Sequence, residues 1–492
     1  MKEKEFKKSL GLLDATFLVA GSMIGSGIFI VSADMAKDLG SSGWLLFTWI
    51  LTGIITLFGA LSYGELAAMF PQAGGQFVYI QKAFGNLTSF LYGWTVFTVI
   101  QTGVIAAVAV AFGKFTGVFF PSLFEPIFSV GDITVTYVNL VGVISILFLT
   151  FLNSRGINYG KIVQLIFTSS KLIALFVLIV AGIYIGFKSG YFELNFTNAW
   201  HAEKIYSQDG KTWIEELSTF GLLVVLSTTI INSLFSSDAW NNVTFIAGEI
   251  RNPEKNLPRS LFLGTFIVTI LYVLANVAYL GLMPLHGQEI SNEIAYTKAG
   301  IVQGGIQYAS EGRVGTAAAY MMFGDIAQYL MAALIMISTF GCNNGLIMAG
   351  ARLFYAMGKE KLFFAKAGTL NNSSVPQFAL WIQCFWACIL CLSGSYSILI
   401  KFATFASMIF YIVTIAGLFK LRKTMPEHQR PYKAIGYPIV PALYLFFAAV
   451  ICISLAVFTF WDTAFSIVLI ILGIPVYYLF FQRKESEVLD KL

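Results

Sequence analysis

Twelve long apolar runs follow one another along the chain, and they decide what it can fold into. The runs lie near 13–36, 43–70, 84–112, 135–153, 159–187, 218–248, 259–283, 321–351, 376–394, 397–419, 438–460 and 463–481. Each has about the 20 residues that a helix needs to cross the hydrocarbon core of a bilayer. Only 12% of the 492 residues are charged, whereas a soluble domain has about 25%. We therefore expect an all-α integral membrane protein with twelve spans, and neither a soluble enzyme nor a nucleic-acid binder.

The distribution of Lys and Arg between the loops predicts the orientation. With the N-terminus inside, 22 of the 31 basic residues fall in inner segments, eight in outer segments and one within a span. Cytoplasmic loops carry the excess of Lys and Arg, so both termini are predicted to be cytoplasmic, in a multi-pass protein of the cytoplasmic membrane. The charged head is similar to the start of a signal peptide, but the run after it is too long for one. The outer loops 188–217 and 284–320 are expected to form short capping helices.

Motifs for metals, cofactors and catalysis are missing from the sequence. All five cysteines lie in apolar runs, and even the Cys388–Cys391 CxxC is interpreted as packing. The three histidines fall in separate loops, away from any second metal ligand. There is no Walker A, GxSxG or HExxH pattern. No cofactor, metal site or enzymatic activity is expected.

Two spans are interrupted at mid-length. The first contains GSMIGSGIF at 21–29, and the sixth contains the polar stretch NSLFSSDAWNN at 232–242. Small residues alone can form a helix-packing face, but these spans open two successive blocks of five helices. Interrupted segments at corresponding positions of two halves point to the midplane site of a secondary transporter. Half-helix starts offer N–H groups to a carboxylate and half-helix ends offer carbonyls to an ammonium, so the expected ligand is an amino acid.

Two charged residues lie within apolar runs. Lys171 is 12 residues from Tyr159, about 18 Å of helix, which is too deep for snorkelling and indicates a functional role. It is expected to act either as a fixed cation or, by losing its proton, as a proton carrier. Asp238 lies in the sixth-span interruption, where it either organises the unwound backbone and the side-chain pocket or caps the second half-helix.

Further charged residues lie near the ends of the spans. Glu65, Glu249 and Arg352 are predicted at the inner ends, either as an inner gate of ion pairs or as plain interfacial charges. Lys401 and Asp325 are expected near the outer face, in contact with solvent. The basic stretch at 422–433 is interpreted as a topology signal that contacts anionic lipid.

At this point a family resemblance is visible. GSMIGSGIF resembles the helix 1 signature of the amino acid–polyamine–organocation (APC) superfamily, in particular its L-amino acid transporter branch, here of the bacterial permease type. The resemblance runs from about residue 9 to the twelfth span. It implies a LeuT-type fold with inverted five-helix repeats at about 13–187 and 218–419, peripheral helices at about 438–481, and helices 1 and 6 unwound. Further matching fragments are EL at 65–66, FPQAGGQ at 70–76, Tyr79, FSSDAW at 235–240, EIRNP at 249–253, LP at 257–258, NG at 344–345 and AR at 351–352.

The resemblance also implies roles for individual residues. The first break, with Gly25 inside it, would bind the substrate α-carboxylate through the N–H groups of Ser26 and Gly27 and the Ser26 hydroxyl. The Phe235 ring would close over the substrate as a lid. Lys171 stands where sodium-coupled relatives place a cation, which implies sodium independence. The carbonyls assigned to the α-ammonium are those of Ile24, Phe235, Ser236 and Asp238.

The expected function is exchange of neutral, small to medium L-amino acids by alternating access. Ala239 replaces the Gly usual in the branch, and its methyl group favours a small substrate. The alternatives are a proton-coupled symporter, a cationic amino acid or polyamine carrier supported only by Asp238, and a non-transporting amino-acid sensor. Animal members pair with a heavy chain through a Cys after helix 3, but 113–134 contains none. No such partner is expected.

Overall fold

The computed structural model describes residues 8–130, 133–208, 211–289, 297–393 and 396–479. The helices are α1 Leu12–Met23, α2 Gly27–Ile30, α3 Ser32–Leu39, α4 Ser42–Met69, α5 Gln76–Phe84, α6 Asn86–Thr95, α7 Gln101–Thr116, α8 Tyr137–Arg155, α9 Ile157–Ser189, α10 Tyr191–Phe196, α11 Thr219–Ser236, α12 Asn242–Phe245, α13 Pro253–Leu282, α14 Lys298–Gly304, α15 Val314–Phe323, α16 Asp325–Lys359, α17 Gln377–Ser393, α18 Tyr396–Thr424, α19 Ile439–Phe458 and α20 Phe460–Tyr477. A π-helical turn, Val96–Ile100, joins α6 to α7. Short 3-10 turns lie at Pro121–Phe124, Ala247–Glu249, Ser310–Gly312 and Ala365–Gly368.

Within the described residues, ten helical segments are long and apolar enough to cross a membrane. The predicted runs at 376–394 and 463–481 form shorter apolar helices, Gln377–Ser393 and Thr463–Tyr477. The protein is therefore a multi-pass helical membrane protein, and the count of twelve spans stays a prediction.

The two ends of the bundle differ in structure. One end carries two antiparallel hairpins, β1 Pro126–Val130 with β2 Ile133–Thr136 and β3 Glu203–Gln208 with β4 Lys211–Glu216. We call it the hairpin end. In 188–217, where short capping helices were expected, the short helix α10 is present, but the strands β3 and β4 follow it, so the expectation was wrong for the second half of this loop. The other expected loop, 284–320, does hold α14 and the start of α15.

The opposite end, which we call the terminal end, holds the start of the described chain. The N–H groups of Ser9 and Leu10 donate to the Glu249 carbonyl at 2.9 and 3.0 Å, and the Arg251 N–H donates to the Leu10 carbonyl at 2.8 Å. Leu10 is buried. The segment before α1 is thus held against the connection between α12 and α13.

Local signals place the helix ends. Ser41 and Ser218 cap α4 and α11 by accepting a backbone N–H from the residue three positions ahead, and Gly40 ends α3 in the left-handed conformation at φ +50°. In the interior, α1 packs against α9, α13 and α16. This packing surrounds the interruption in the first span with side chains from three other helices.

Candidate substrate site at two helix breaks

The first break lies between α1 and α2. Helix α1 ends at Met23, Ile24 has the non-helical ψ of 89°, and helix resumes at Gly27. Ile24, Ser26 and Gly27 are all buried. A Cβ atom at Gly27 would lie 2.1 Å from Ser236 Oγ, so only glycine allows the backbone to come this close. Because Ser236 belongs to α11, the two interrupted spans touch at this point.

The second break follows α11. Helix ends at Ser236 and a four-residue helix, α12, resumes at Asn242. Between them Ala239 has φ +64°, a left-handed conformation that costs a residue with a Cβ about 1 kcal/mol or more. Phe235, the predicted lid, lies in the last turn of α11 and is 7% exposed.

Lys171 from α9 reaches the end of α1. Its side chain is completely buried, and its Nζ donates to the Gly21 carbonyl and, at 2.7 Å, to the Ile24 carbonyl. Burying an ammonium requires such partners, because an unpaired charge in the interior costs several kcal/mol. Lys171 therefore satisfies carbonyls that the break removes from the helical ladder.

Helix α16 supplies two further donors to this break. Ser338 Oγ donates to the Ile24 carbonyl at 3.2 Å, and Cys342 Sγ donates to the Ser22 carbonyl at 3.1 Å. The Ile24 carbonyl, predicted to take the α-ammonium, thus already accepts two donors in this conformation. Neither α16 residue stood out in the sequence, because a Ser and a Cys in an apolar run look like small packing residues.

Tyr272 on α13 joins the two breaks. Its hydroxyl lies 2.9 Å from the Met23 carbonyl and 3.0 Å from the Ser236 carbonyl. A hydroxyl has one hydrogen to donate, so these two carbonyls share a single donor. A tyrosine inside an apolar run gives no sequence signal for this role.

Asp238 lies in a network of neutral side chains. Its Oδ1 accepts from the Tyr411 hydroxyl at 2.5 Å. That hydroxyl is also 3.3 Å from Asn241 Oδ1, and Asn241 Nδ2 donates to Gln76 Oε1 at 2.8 Å. Tyr92 donates to the same Gln76 oxygen at 2.9 Å. None of the ion pairs found among the described residues includes Asp238.

A small cavity of about 20 Å³, room for about one water molecule, lies beside Asp238. Asp238, Ala239 and Asn242 form one wall, and Gln101 and Tyr411 lie among the residues of the others. Asn242 Nδ2 is buried without a hydrogen-bond partner in the described structure. The residues that line the cavity at the second break thus include a carboxylate and an unpaired amide.

Two separate ion-pair groups lie at the terminal end. Arg352 Nε lies 2.9 Å from Glu249 Oε1, with both residues 1% exposed. Glu65 instead pairs with Arg422, whose Nε and Nη2 donate to Glu65 Oε1 and Oε2 at 2.9 and 2.5 Å. Arg430 Nε lies 3.2 Å from Glu65 Oε1. The expected grouping of three residues is thus divided in two. Arg422 and Arg430 were missed because their loop was interpreted as a topology signal and a lipid contact.

Metal ligands do not cluster in the described ranges, where no group of three His, Cys, Asp or Glu residues is placed to hold an ion. His201 and His286 lie 3.5 and 3.2 Å from Glu216 and Glu203, and the His428 ring stacks on Phe70.

Two interrupted helices meet inside a membrane bundle, and the broken backbone of each is paired to side chains of other helices. These are features of a membrane transporter. The chain belongs to the amino acid permease family, whose model matches residues 10–479.

Individual relatives agree with this assignment. The human large neutral amino acids transporter small subunit 2 is 31% identical over 488 residues, which cover 98% of this chain and 82% of the relative. The serine/threonine exchanger SteT of Bacillus subtilis (strain 168) is 30% identical over 488 residues, covering 99% of both chains. The mouse Asc-type amino acid transporter 1 is 28% identical over 476 residues, with 96% and 81% covered.

Proposed function

We propose that this protein exchanges neutral L-amino acids across the cytoplasmic membrane without sodium, by alternating access around the two helix breaks. The observation that carries the proposal is the contact between the breaks, with the Lys171 ammonium on the carbonyls of the first. The exchangers and neutral amino acid transporters among its relatives support the same substrate class.

In this proposal the substrate backbone lies between the breaks. The N–H groups of Ser26 and Gly27, at the start of α2, hold the α-carboxylate together with the Ser26 hydroxyl. The carbonyls of Phe235 and Ser236, with Asp238 nearby, accept from the α-ammonium. The Ile24 carbonyl joins them once the Ser338 hydroxyl turns away from it. Binding separates Gly27 from Ser236, which are in contact here.

The side chain of the substrate would enter the cavity beside Asp238. The Ala239 methyl lies on its wall and favours small side chains. The Asn242 amide is available to a hydroxyl or carbonyl group on the substrate. We therefore expect alanine, serine and threonine to be exchanged faster than phenylalanine or tryptophan.

The finer architecture is part of the proposal. We propose twelve spans in a LeuT-type arrangement, with inverted repeats at about 13–187 and 218–419, and both termini in the cytoplasm. The hairpin end then faces outward, and the ion pairs Glu249–Arg352 and Glu65–Arg422 close the cytoplasmic side, while the Phe235 ring closes the outer side. We propose a single chain without a disulfide-linked heavy chain, since 113–134 lacks cysteine.

Exchange by purified protein in liposomes tests the proposal. Vesicles loaded with unlabelled alanine are given a panel of labelled amino acids, with sodium or choline outside and with or without an inward proton gradient. We expect uptake of neutral amino acids that requires internal alanine and ignores both gradients. Uptake into empty vesicles that a protonophore abolishes would make the protein a proton symporter, with Lys171 as the leading proton carrier.

Two other results would change the class. Binding of labelled amino acid without any uptake would identify a sensor. Uptake restricted to basic amino acids or polyamines would identify a cationic carrier, in which Asp238 pairs with the substrate side chain.

A further inference from the structure

A second and larger cavity, of about 200 Å³, lies at the hairpin end. Its walls come from α3, β3, α11, α18, α19 and the connection to α20. It is lined by other residues than the cavity beside Asp238, and nothing in the proposed exchange site uses it. The residues that matter here are Asp38, Lys204, Asn232, Lys401, Phe405 and Leu455.

Charges of both signs line this cavity. Asp38 Oδ1 lies 3.2 Å from Lys204 Nζ, and Asp38 Oδ2 accepts from Thr229 Oγ1 at 2.6 Å. Lys401, expected near the outer face in contact with solvent, is partly buried on the cavity wall. Two lysines and one aspartate give the lining a net positive charge, and they match a ligand that carries an anionic and a cationic group together.

The remaining lining suits an amino acid. Phe405 and Leu455 supply apolar surface, and Asn232 supplies an amide. Asn232 also relates the cavity to the substrate path, because it precedes the lid residue Phe235 by three positions on α11, about 4.5 Å along the helix. The cavity therefore lies about one helical turn from the lid, on the hairpin side.

We propose that this cavity is a second amino-acid site, which holds an incoming substrate before the lid opens. Lys401 and Lys204 bind the carboxylate, Asp38 binds the α-ammonium, and Phe405 and Leu455 contact the side chain. The zwitterion replaces part of the Asp38–Lys204 ion pair by equivalent pairs, so charge balance is kept. The second site rests on the proposed exchange function, and it predicts that the KM depends on a residue group present on one side of the membrane only.

Sidedness provides the test. Exchange is measured in right-side-out and inverted vesicles for wild type, Lys401→Gln and Lys188→Gln. Lys188 is the matched control: it is exposed at the end of α9 near the hairpin end and contacts Tyr184, away from the cavity. We expect Lys401→Gln to raise the KM on the hairpin side about tenfold, the typical effect of losing a charged hydrogen bond. The KM on the other side and the maximal rate should equal those of wild type.

Asp38→Asn provides an independent variant, because it removes the group assigned to the ammonium while keeping the bond from Thr229. It should raise the same KM on the same side. An unchanged hairpin-side KM in both variants, with normal exchange, would overturn the second site and leave the exchange function intact. Equal effects on both sides would also overturn it, since they indicate a change in the central site.

A lipid headgroup with an ammonium and a phosphate has the same charges as an amino acid. Vesicles of different lipid composition distinguish the two occupants. The vesicles are made with phosphatidylcholine alone or with added phosphatidylethanolamine, and lipid retained by the purified protein is identified by mass spectrometry. A lipid that wild type retains and Lys401→Gln loses, without a change in KM, would replace the amino acid as occupant and overturn the proposal. Wild-type protein that exchanges no amino acid at all would overturn the exchange function and the second site with it.

Discussion

The two helix breaks are held in different ways. At the first break, the carbonyls of α1 receive donors from fixed side chains, led by the buried ammonium of Lys171. At the second, the chain is held by the neutral network of Asp238, Tyr411, Asn241 and Gln76, beside a cavity. A charge on backbone carbonyls is a strong and inflexible restraint, whereas neutral side chains beside a cavity can rearrange. We therefore expect the first break to hold the common part of every substrate and the second to adapt to its side chain.

Lys171→Met should have the largest effect. Methionine keeps the bulk but removes the donor to the Gly21 carbonyl and one of the two donors to the Ile24 carbonyl. Leaving a buried carbonyl without a donor costs about 1–3 kcal/mol, and the buried charge is lost as well. Exchange should fall by at least about 100-fold. Lys188→Met on the same helix should exchange as wild type does. Activity within threefold of wild type, at equal amounts of reconstituted protein, would show that the ammonium is not what holds the first break.

Tyr272→Phe tests the link between the breaks. It removes the hydroxyl shared by the Met23 and Ser236 carbonyls, a loss of about 1–1.5 kcal/mol, so exchange should fall about tenfold for all substrates alike. Tyr184→Phe, at an exposed position, serves as the control. If only some substrates were affected, the tyrosine would belong to the side-chain pocket of the second break and would not join the two.

Asp238→Asn should show that the second break tolerates substitution better than the first. Asparagine still accepts a hydrogen bond from Tyr411, so exchange of neutral amino acids should stay within about threefold of wild type. Uptake of any basic amino acid should disappear, since a buried carboxylate is needed to pair with it. Asp325→Asn at the exposed start of α16 is the control. Loss of neutral exchange as complete as in Lys171→Met would mean that both breaks are equally intolerant.

Ala239→Gly should have the smallest effect on exchange and, unlike the other substitutions, should stabilise the protein. Glycine adopts the positive φ of this position freely, so the substitution should stabilise the protein by about 1 kcal/mol, a rise in melting temperature on the order of 1 °C. It should also widen the pocket and lower the KM for larger side chains. Ala181→Gly, inside α9, should instead destabilise. A lower melting temperature for Ala239→Gly would show that the break is not strained at this residue.

Local signals made part of this site predictable. Three glycines in seven residues indicated the break at Ile24–Ser26, and an ammonium in an apolar run marked Lys171. Both are detectable because they violate the composition of a lipid-facing helix. Tyr272 and Ser338 do not depart from that composition, since a tyrosine or a serine is ordinary in a span. Their contacts with the breaks were therefore not predicted.

Contacts between residues far apart in the chain were also not predicted. The sequence indicated that Glu65, Glu249 and Arg352 lie near the terminal end, and all three do so. It did not indicate that Glu65 faces Arg422, because those residues are 357 positions apart. The hairpin in 188–217 was missed because its strands alternate polar and apolar residues only weakly, and a polar loop was expected to be helical.

From the sequence alone it follows that the chain resides in a membrane and that its first and sixth spans are interrupted, and the loop charges predict its orientation. These properties follow from hydropathy, loop charge and backbone conformation, which act over a few residues at a time. Only the tertiary structure decided which side chain satisfies each broken backbone group. That choice depends on the packing of helices from distant parts of the chain, because a buried polar group accepts whichever donor the packing brings within about 3 Å.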